Sequence, residues 1–275
     1  MSGEDASHKV PAFVRARGGI RASFSRQGDA THLARLYEAG GLRLRCPQVG
    51  GTCEAVLINC AGGMAGGDKA AYGFEIGAGA SVTLTNVAAE KIYRAESGPA
   101  TVATSLNLSA GARAEWLPQE TILFDGARLE RRLEADLAPD ASLTLLESLI
   151  FGRLAMGEEV RDGALRDRWR IRRAGKLVFA EDLRLEGDMS ALLDRPALGR
   201  GARACATFVH LATDAEARLD RARAALSHGA CEAAASAWSN ILVARLLSPE
   251  PDVLRAAIVT LLAAFRGRDA PRVWQ

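Results

Sequence analysis

Leu129-Glu130-Arg131-Arg132-Leu133-Glu134-Ala135-Asp136-Leu137 is the stretch from which the fold can be read. Leu129, Leu133, Ala135 and Leu137 fall on one side of a two-residue period, and Glu130, Arg132, Glu134 and Asp136 on the other. Successive side chains of a strand point to opposite faces, so this alternation predicts a half-buried β-strand. Arg131 alone breaks it, standing on the apolar side. Outward from here the same period, cut by turn residues at short intervals, runs from about 21 to 200 and predicts many short strands. Turn-opening alanines recur at Ala80, Ala112, Ala141 and Ala164, each just before a strand-like run. Recurrence on that scale predicts stacked strand-turn-strand units. The expected fold is therefore mainly β: a stacked, solenoid-like body.

The last 75 residues differ. Residues 203–211 read as a strand, and Asp214 as the cap of a helix over 215–226 with Leu219, Ala222 and Leu226 on one face. Residues 230–237 and 240–247 read as a hairpin, and Pro251 fits the first turn of a second helix ending near Phe265. Its stripe, Val253 to Phe265, either meets a partner or covers its own sheet. The domain reading is a flexible polar N-terminus over 1–20 and one domain over 21–275. That domain has a β-rich body over 21–200 and a β-α-β-β-α part over 201–275, an α+β ending with two α-helices.

Composition removes several functions. With 35 basic and 33 acidic side chains in 275 residues, the net charge of +2 gives no electrostatic reason for nucleic acid or an anionic membrane as partner. Arg166, Arg168, Arg170 and Arg172 share one strand face, but no aromatic interleaves there to stack bases, so a solvated edge is expected. No apolar run reaches the roughly 20 residues that span a bilayer, and the opening residues lack a secretory signal, so a cytoplasmic protein with reduced thiols is expected. The four histidines, His8, His32, His210 and His228, have no ligand spacing, which argues against a histidine metal centre or a Ser-His-Asp relay. Cys46, Cys53 and Cys60 lie seven apart without a C-x-x-C and read as small buried hydrophobes, although Cys60 directly precedes a glycine-rich loop.

That loop, Gly62-Gly63-Met64-Ala65-Gly66-Gly67-Asp68-Lys69, superficially resembles a phosphate cradle. The lysine position, however, holds Asp68 and the hydroxyl position holds Lys69, so an aspartate would face phosphate oxygens and no hydroxyl would be left for magnesium. Nucleotide binding is rejected. Asp68 itself reads either as a cation or partner contact or as a local turn bond.

Two further carboxylates stand on apolar faces. Glu181 shares its side with Leu177, Phe179, Leu183 and Leu185, and Glu147 with Leu143, Leu145 and Leu149. Burying an unpaired charge costs several kcal/mol, so such groups must be paired, protonated, or facing water or a metal. Arg131 and Arg153 are the candidate partners if they are paired. Otherwise they line a polar passage, where hard oxygen ligands without histidine suit weak, exchangeable metal contacts. Paired carboxylates also suffice for a glycoside hydrolase, but aromatics at 5% leave few sugar platforms.

Several motifs in order then resemble one family. They are Gly62-Gly63-Met64-Ala65-Gly66-Gly67-Asp68, Ala89-Glu90-Lys91-Ile92-Tyr93-Arg94, Glu115-Trp116-Leu117-Pro118-Gln119-Glu120-Thr121-Ile122, Gly152-Arg153 with Gly157-Glu158, and Pro271-Arg272-Val273-Trp274. Over about 60–275 this is similar to the urease accessory protein UreD (UreH) family. The resemblance implies a non-enzymatic scaffold that assembles with UreF and the GTPase UreG on apo-urease and supports GTP-dependent nickel insertion. It also implies a solenoid-like β-body with two helices and no tightly bound cofactor, only transient Ni²⁺ in an internal passage. Positions matching Asp68, Glu147 and Glu181 belong to that passage in the family. Glu90 stands where the family often has a small hydroxyl residue, so it adds a carboxylate or narrows the route; Cys60 is a further candidate contact. Gly62, Gly63, Gly66, Gly67, Lys91, Tyr93 and Arg94 form the family motif loops. A purely structural adaptor without metal contact is the alternative.

Overall fold

The computed structural model describes residues 15–49, 52–227 and 230–274, so His8 and His228 lie outside the described residues. A hairpin, β1 (Arg17–Gln27) and β2 (Ala30–Ala39), opens the fold, followed by β3 (Leu42–Arg45), β4 (Gln48–Val49) and β5 (Thr52–Asn59). The body continues through β6 (Lys69–Ile76), β7 (Ser81–Asn86), β8 (Glu90–Ile92), β9 (Ala100–Leu108), β10 (Arg113–Trp116) and β11 (Thr121–Leu123). β12 (Arg128–Leu137), β13 (Ser142–Phe151) and a second hairpin, β14 (Ala164–Arg173) with β15 (Lys176–Glu186), complete it. After the short α1 (Met189–Asp194) come β16 (Ala204–Leu211), α2 (Leu219–Leu226), β17 (Glu232–Trp238), β18 (Ile241–Ser248) and α3 (Pro251–Arg266).

Two sheets face each other. The first has the order β15-β14-β12-β9-β6-β1-β2; the second runs β17-β18-β16-β13-β10-β7-β5-β3, with β11 bridging β13 and β8. The chain passes alternately between them as a solenoid. In the first sheet Lys69 lies beside Thr101, Thr101 beside Glu130 and Glu130 beside Arg166, all in parallel pairings, so one coil takes about thirty residues. Ala80, Ala112 and Ala141, all buried, stack where the chain turns from the first sheet into the second. The Arg113 N–H donates to the Ala80 carbonyl at 2.8 Å and the Ser142 N–H to the Ala112 carbonyl at 2.9 Å. Ala164 belongs to the opposite edge, where its N–H donates to Ala127 at 2.9 Å.

β12 shows the alternation its sequence predicts, with Leu129, Arg131, Leu133, Ala135 and Leu137 all buried between the sheets. β13 is buried on both faces. Leu143, Leu145 and Leu149 join the inter-sheet core, whereas Leu146 packs with Phe208, Leu254, Ile258 and Phe265 beneath the helices. The stripe of α3 thus covers its own sheet. His210 accepts or donates to Thr144 Oγ1 at 2.9 Å and pairs with Asp214 at 3.0 Å, sealed under Phe265. Burial pushes this imidazole below its ordinary range, against the pull of Asp214. Beyond α3 the chain folds back on the body: the Trp274 indole donates to the Leu117 carbonyl at 3.1 Å, and the Gln119 amide donates to the Val273 carbonyl at 2.6 Å.

Three details correct the sequence reading. β1 begins at Arg17, inside the segment assigned to a flexible end; Gly18 and Gly19 are strand residues paired with β6. Asp214 does not cap a helix through its side chain, because its carboxylate is taken by His210 and Arg218. The two α-helices expected in the C-terminal part are α2 and α3; the short α1, capped by Asp188, precedes them at the end of the β-rich body. Leu177 is 54% exposed, because the β14–β15 register shifts between Ile171 and Arg172 and carries it off the inward face of Phe179.

Candidate functional site

Arg131 is central to the interior. It projects from mid-β12 toward the second sheet, where its Nη1 donates to Glu147 Oε2 at 2.5 Å, while its Nη2 donates to Asp167 Oδ2 of neighbouring β14 at 2.6 Å. All three side chains are buried. The Trp116 indole donates to Glu147 at 2.8 Å and the Trp169 indole to Asp167 at 3.2 Å. One guanidinium between two carboxylates leaves a negative charge or a proton to be shared. Burial pushes Glu147 above the usual carboxylate range, a shift Arg131 opposes and Asp167 reinforces. Of the two candidate partners, Arg131 meets Glu147, while Arg153 pairs elsewhere, with Glu158. Asp167 was missed, yet it carries the same signal, a carboxylate sharing a face with Leu165, Trp169 and Ile171.

Beside this triad the sheets separate around a cavity of about 310 Å³. Glu90, Glu147, Arg131, Tyr72, Trp116 and Gln119 contribute to its wall. It extends from exposed Gly62 and Val87 inward to buried Glu147. The short strands β8 and β11 make the room, since they leave the main strand order of the second sheet. On β8, Glu90 accepts from Asn59 Nδ2 at 3.0 Å. Burial nevertheless raises Glu90 to about 7, and burial likewise pushes the Tyr72 phenol up.

The motif loops form one edge of the solenoid. Met64 N–H donates to the Lys91 carbonyl at 2.7 Å, Tyr93 N–H to the Met64 carbonyl at 2.8 Å, and Tyr93 Oη to the Gly62 carbonyl at 3.0 Å. Gly63 has a φ of +151°, and a Cβ there would meet Tyr93 Cε2 at 2.5 Å; one on Gly66 would meet Ala95 Cβ at 2.6 Å. Only glycine admits this closeness. Arg94 pairs with Asp125 at 2.6 Å, and Arg153 is taken by Glu158 at 2.8 Å.

Asp68 closes the loop: its Oδ2 accepts from Ala65 N–H and its Oδ1 from Ala16 N–H, both at 2.8 Å. It thereby ties the glycine loop to the start of β1. Glu181 faces inward on β15 and is paired with Arg245 of β18, joining the two sheets at their far ends. Cys60 is exposed, unlike a buried hydrophobe, whereas Cys46 and Cys53 are partly buried against the core. The structure thus brings Glu90 and Glu147 to one cavity and leaves Asp68, Glu181 and Cys60 outside its lining. Among the described residues no group of three or more His, Cys, Asp or Glu side chains is arranged to hold a metal ion. What the cavity offers is carboxylate, amide and phenol oxygen, donors suited to brief contact with a hard cation. No helix among the described residues is long and apolar enough to cross a membrane.

Residues 16–275 match the family model described as UreD urease accessory protein. The chain is 54% identical to a urease accessory protein UreD of Methylobacterium sp. (strain 4-46), covering 98% of this chain and 99% of that protein. It is 49% identical to a UreD of Xanthobacter autotrophicus, over 94% and 90% of the two chains. A UreD of Azorhizobium caulinodans is 44% identical over 96% and 98%.

Proposed function

The chain belongs to the UreD family of urease accessory proteins, and we propose that within urease maturation it is a non-catalytic scaffold that assembles with UreF and UreG on apo-urease and passes Ni²⁺ through the cavity between its sheets during GTP-dependent insertion. The observation that carries this reading is the placement of Glu90 and Glu147 on one cavity reaching from exposed loop residues into the core. A travelling ion needs ligands that release it, and isolated carboxylates with amide and phenol neighbours meet that need where a histidine–cysteine cage would not. Glu90 is the entry contact, its charge set by pH near neutrality. Asp68 shapes the loop at the entrance, Glu181 holds the far ends of the sheets together, and Cys60 is at most a surface contact before the loop. The working location is the cytoplasm.

The test measures nickel loading of apo-urease alongside assembly. Glu90→Gln should slow loading several-fold while complex formation is unchanged, and Val102→Trp, which fills the cavity wall, should do the same. If both variants load nickel at the parent rate in an intact complex, the passage is wrong. The adaptor reading would then stand, and one observation favours it: Glu147 is already engaged by Arg131 and Trp116.

A further inference from the structure

The outer face of the first sheet is concave and encloses about 1160 Å³. Its floor is built from the small outward residues of three adjacent strands, Gly19 of β1, Ala71 and Gly73 of β6, and Ala103 and Ser105 of β9. Long side chains stand on both sides. Arg17 and Arg21 of β1 with Arg35 of β2 form one rim, Arg132 of β12 with Arg166 and Arg168 of β14 the other, and Lys69 of β6 stands between them at one end. Against these seven cations the concavity holds three carboxylates, Glu75, Glu130 and Glu134, an excess of four on a chain whose whole net charge is +2. Arg132 lies directly abreast of Arg168, whose other neighbour in register is Asp182 of β15, just outside the concavity. Tyr37 is 57% exposed on the same face with the Arg21 guanidinium 5.8 Å from its ring centre, the residue types that anchor protein interfaces.

Dimensions select the occupant. Neighbouring strands lie about 4.8 Å apart, so the channel from β1 to β12 is about 14 Å wide, and an α-helix with its side chains is about 10–12 Å across. Eight paired residues of β6 give a length of about 27 Å, the rise of about 18 helical residues. We propose that this face docks an acidic amphipathic α-helix of a protein partner, its small or apolar stripe on the Gly-Ala floor and its carboxylates between the two arginine rims. The inference rests on the maturation reading only in expecting that partner within the complex on apo-urease; it is independent of where nickel travels.

The test places a photo-crosslinking p-benzoylphenylalanine at exposed Ala71 in the full chain, assembled with apo-urease, UreF and UreG, and maps the adduct. An adduct on a net-negative helical segment is expected. Arg132→Glu with Arg168→Glu should weaken assembly by about tenfold or more at low salt, and parent binding should weaken as salt rises. The neutral pair Arg132→Gln and Arg168→Gln, with unchanged melting temperature, should give an intermediate loss and so excludes misfolding. An intact complex of parent affinity in which Ala71 forms no adduct overturns the docking face alone. So does an adduct to a second copy of this chain or to a basic or extended segment. Failure to form any complex overturns the maturation reading and this inference with it.

Discussion

Replacing Arg131 would leave Glu147 and Asp167 in the core with only two indole N–H groups and the Thr121 hydroxyl nearby. Arg131→Met should therefore cost about 3–5 kcal/mol in urea unfolding at pH 7, the penalty of uncompensated buried charge. Glu147→Gln leaves the neutral Arg131–Asp167 pair and should cost only about 1 kcal/mol. The gap between the two should narrow in acid, as the orphaned carboxylates take up protons. Glu90 makes a separate prediction. Its folded carboxyl is raised from 4.5 to about 7, so between those pH values the folded chain binds more protons than the unfolded one. Stability from this group is present below 4.5 and is lost as pH rises toward 7. Glu90→Gln should flatten that part of the stability profile, read by denaturant titration across the range; an unchanged slope would assign the pH dependence to other groups.

At the scale of elements, the corner alanines decide how closely the coils stack. Ala112 is fully buried and lies between Ala80 and Ala141. Ala112→Leu should cost about 1–3 kcal/mol by overpacking, while Ala110→Leu, exposed in the same turn, should stay within about 0.5 kcal/mol. These alanines were legible because one small residue recurs wherever coils touch. β12 was legible through its alternation, and α3 through Pro251 and its apolar stripe. The six-residue α1 was not, being too short to show a helical period. Asp214 misled because a carboxylate before a helix resembles a cap, and only the folded chain brings His210 and Arg218 to claim it.

For the molecule as a whole, facing was readable and partnership was not. Period two put Glu147 and Glu181 inward, but the Arg245 that meets Glu181 is 64 residues away on the other sheet. The cavity had no sequence signal, since it arises where β8 and β11 step off the strand order. The return of the last residues onto Leu117 and Gln119 bears on how the protein is made. Each coil rests on its predecessor, so coils can stack in the order in which they leave the ribosome. Gln119, part of the chamber wall, already donates to the Val87 carbonyl of the preceding coil at 3.2 Å and gains its bond to Val273 last. A nascent chain can therefore carry most of its architecture, chamber wall included, before its final residues arrive to brace it.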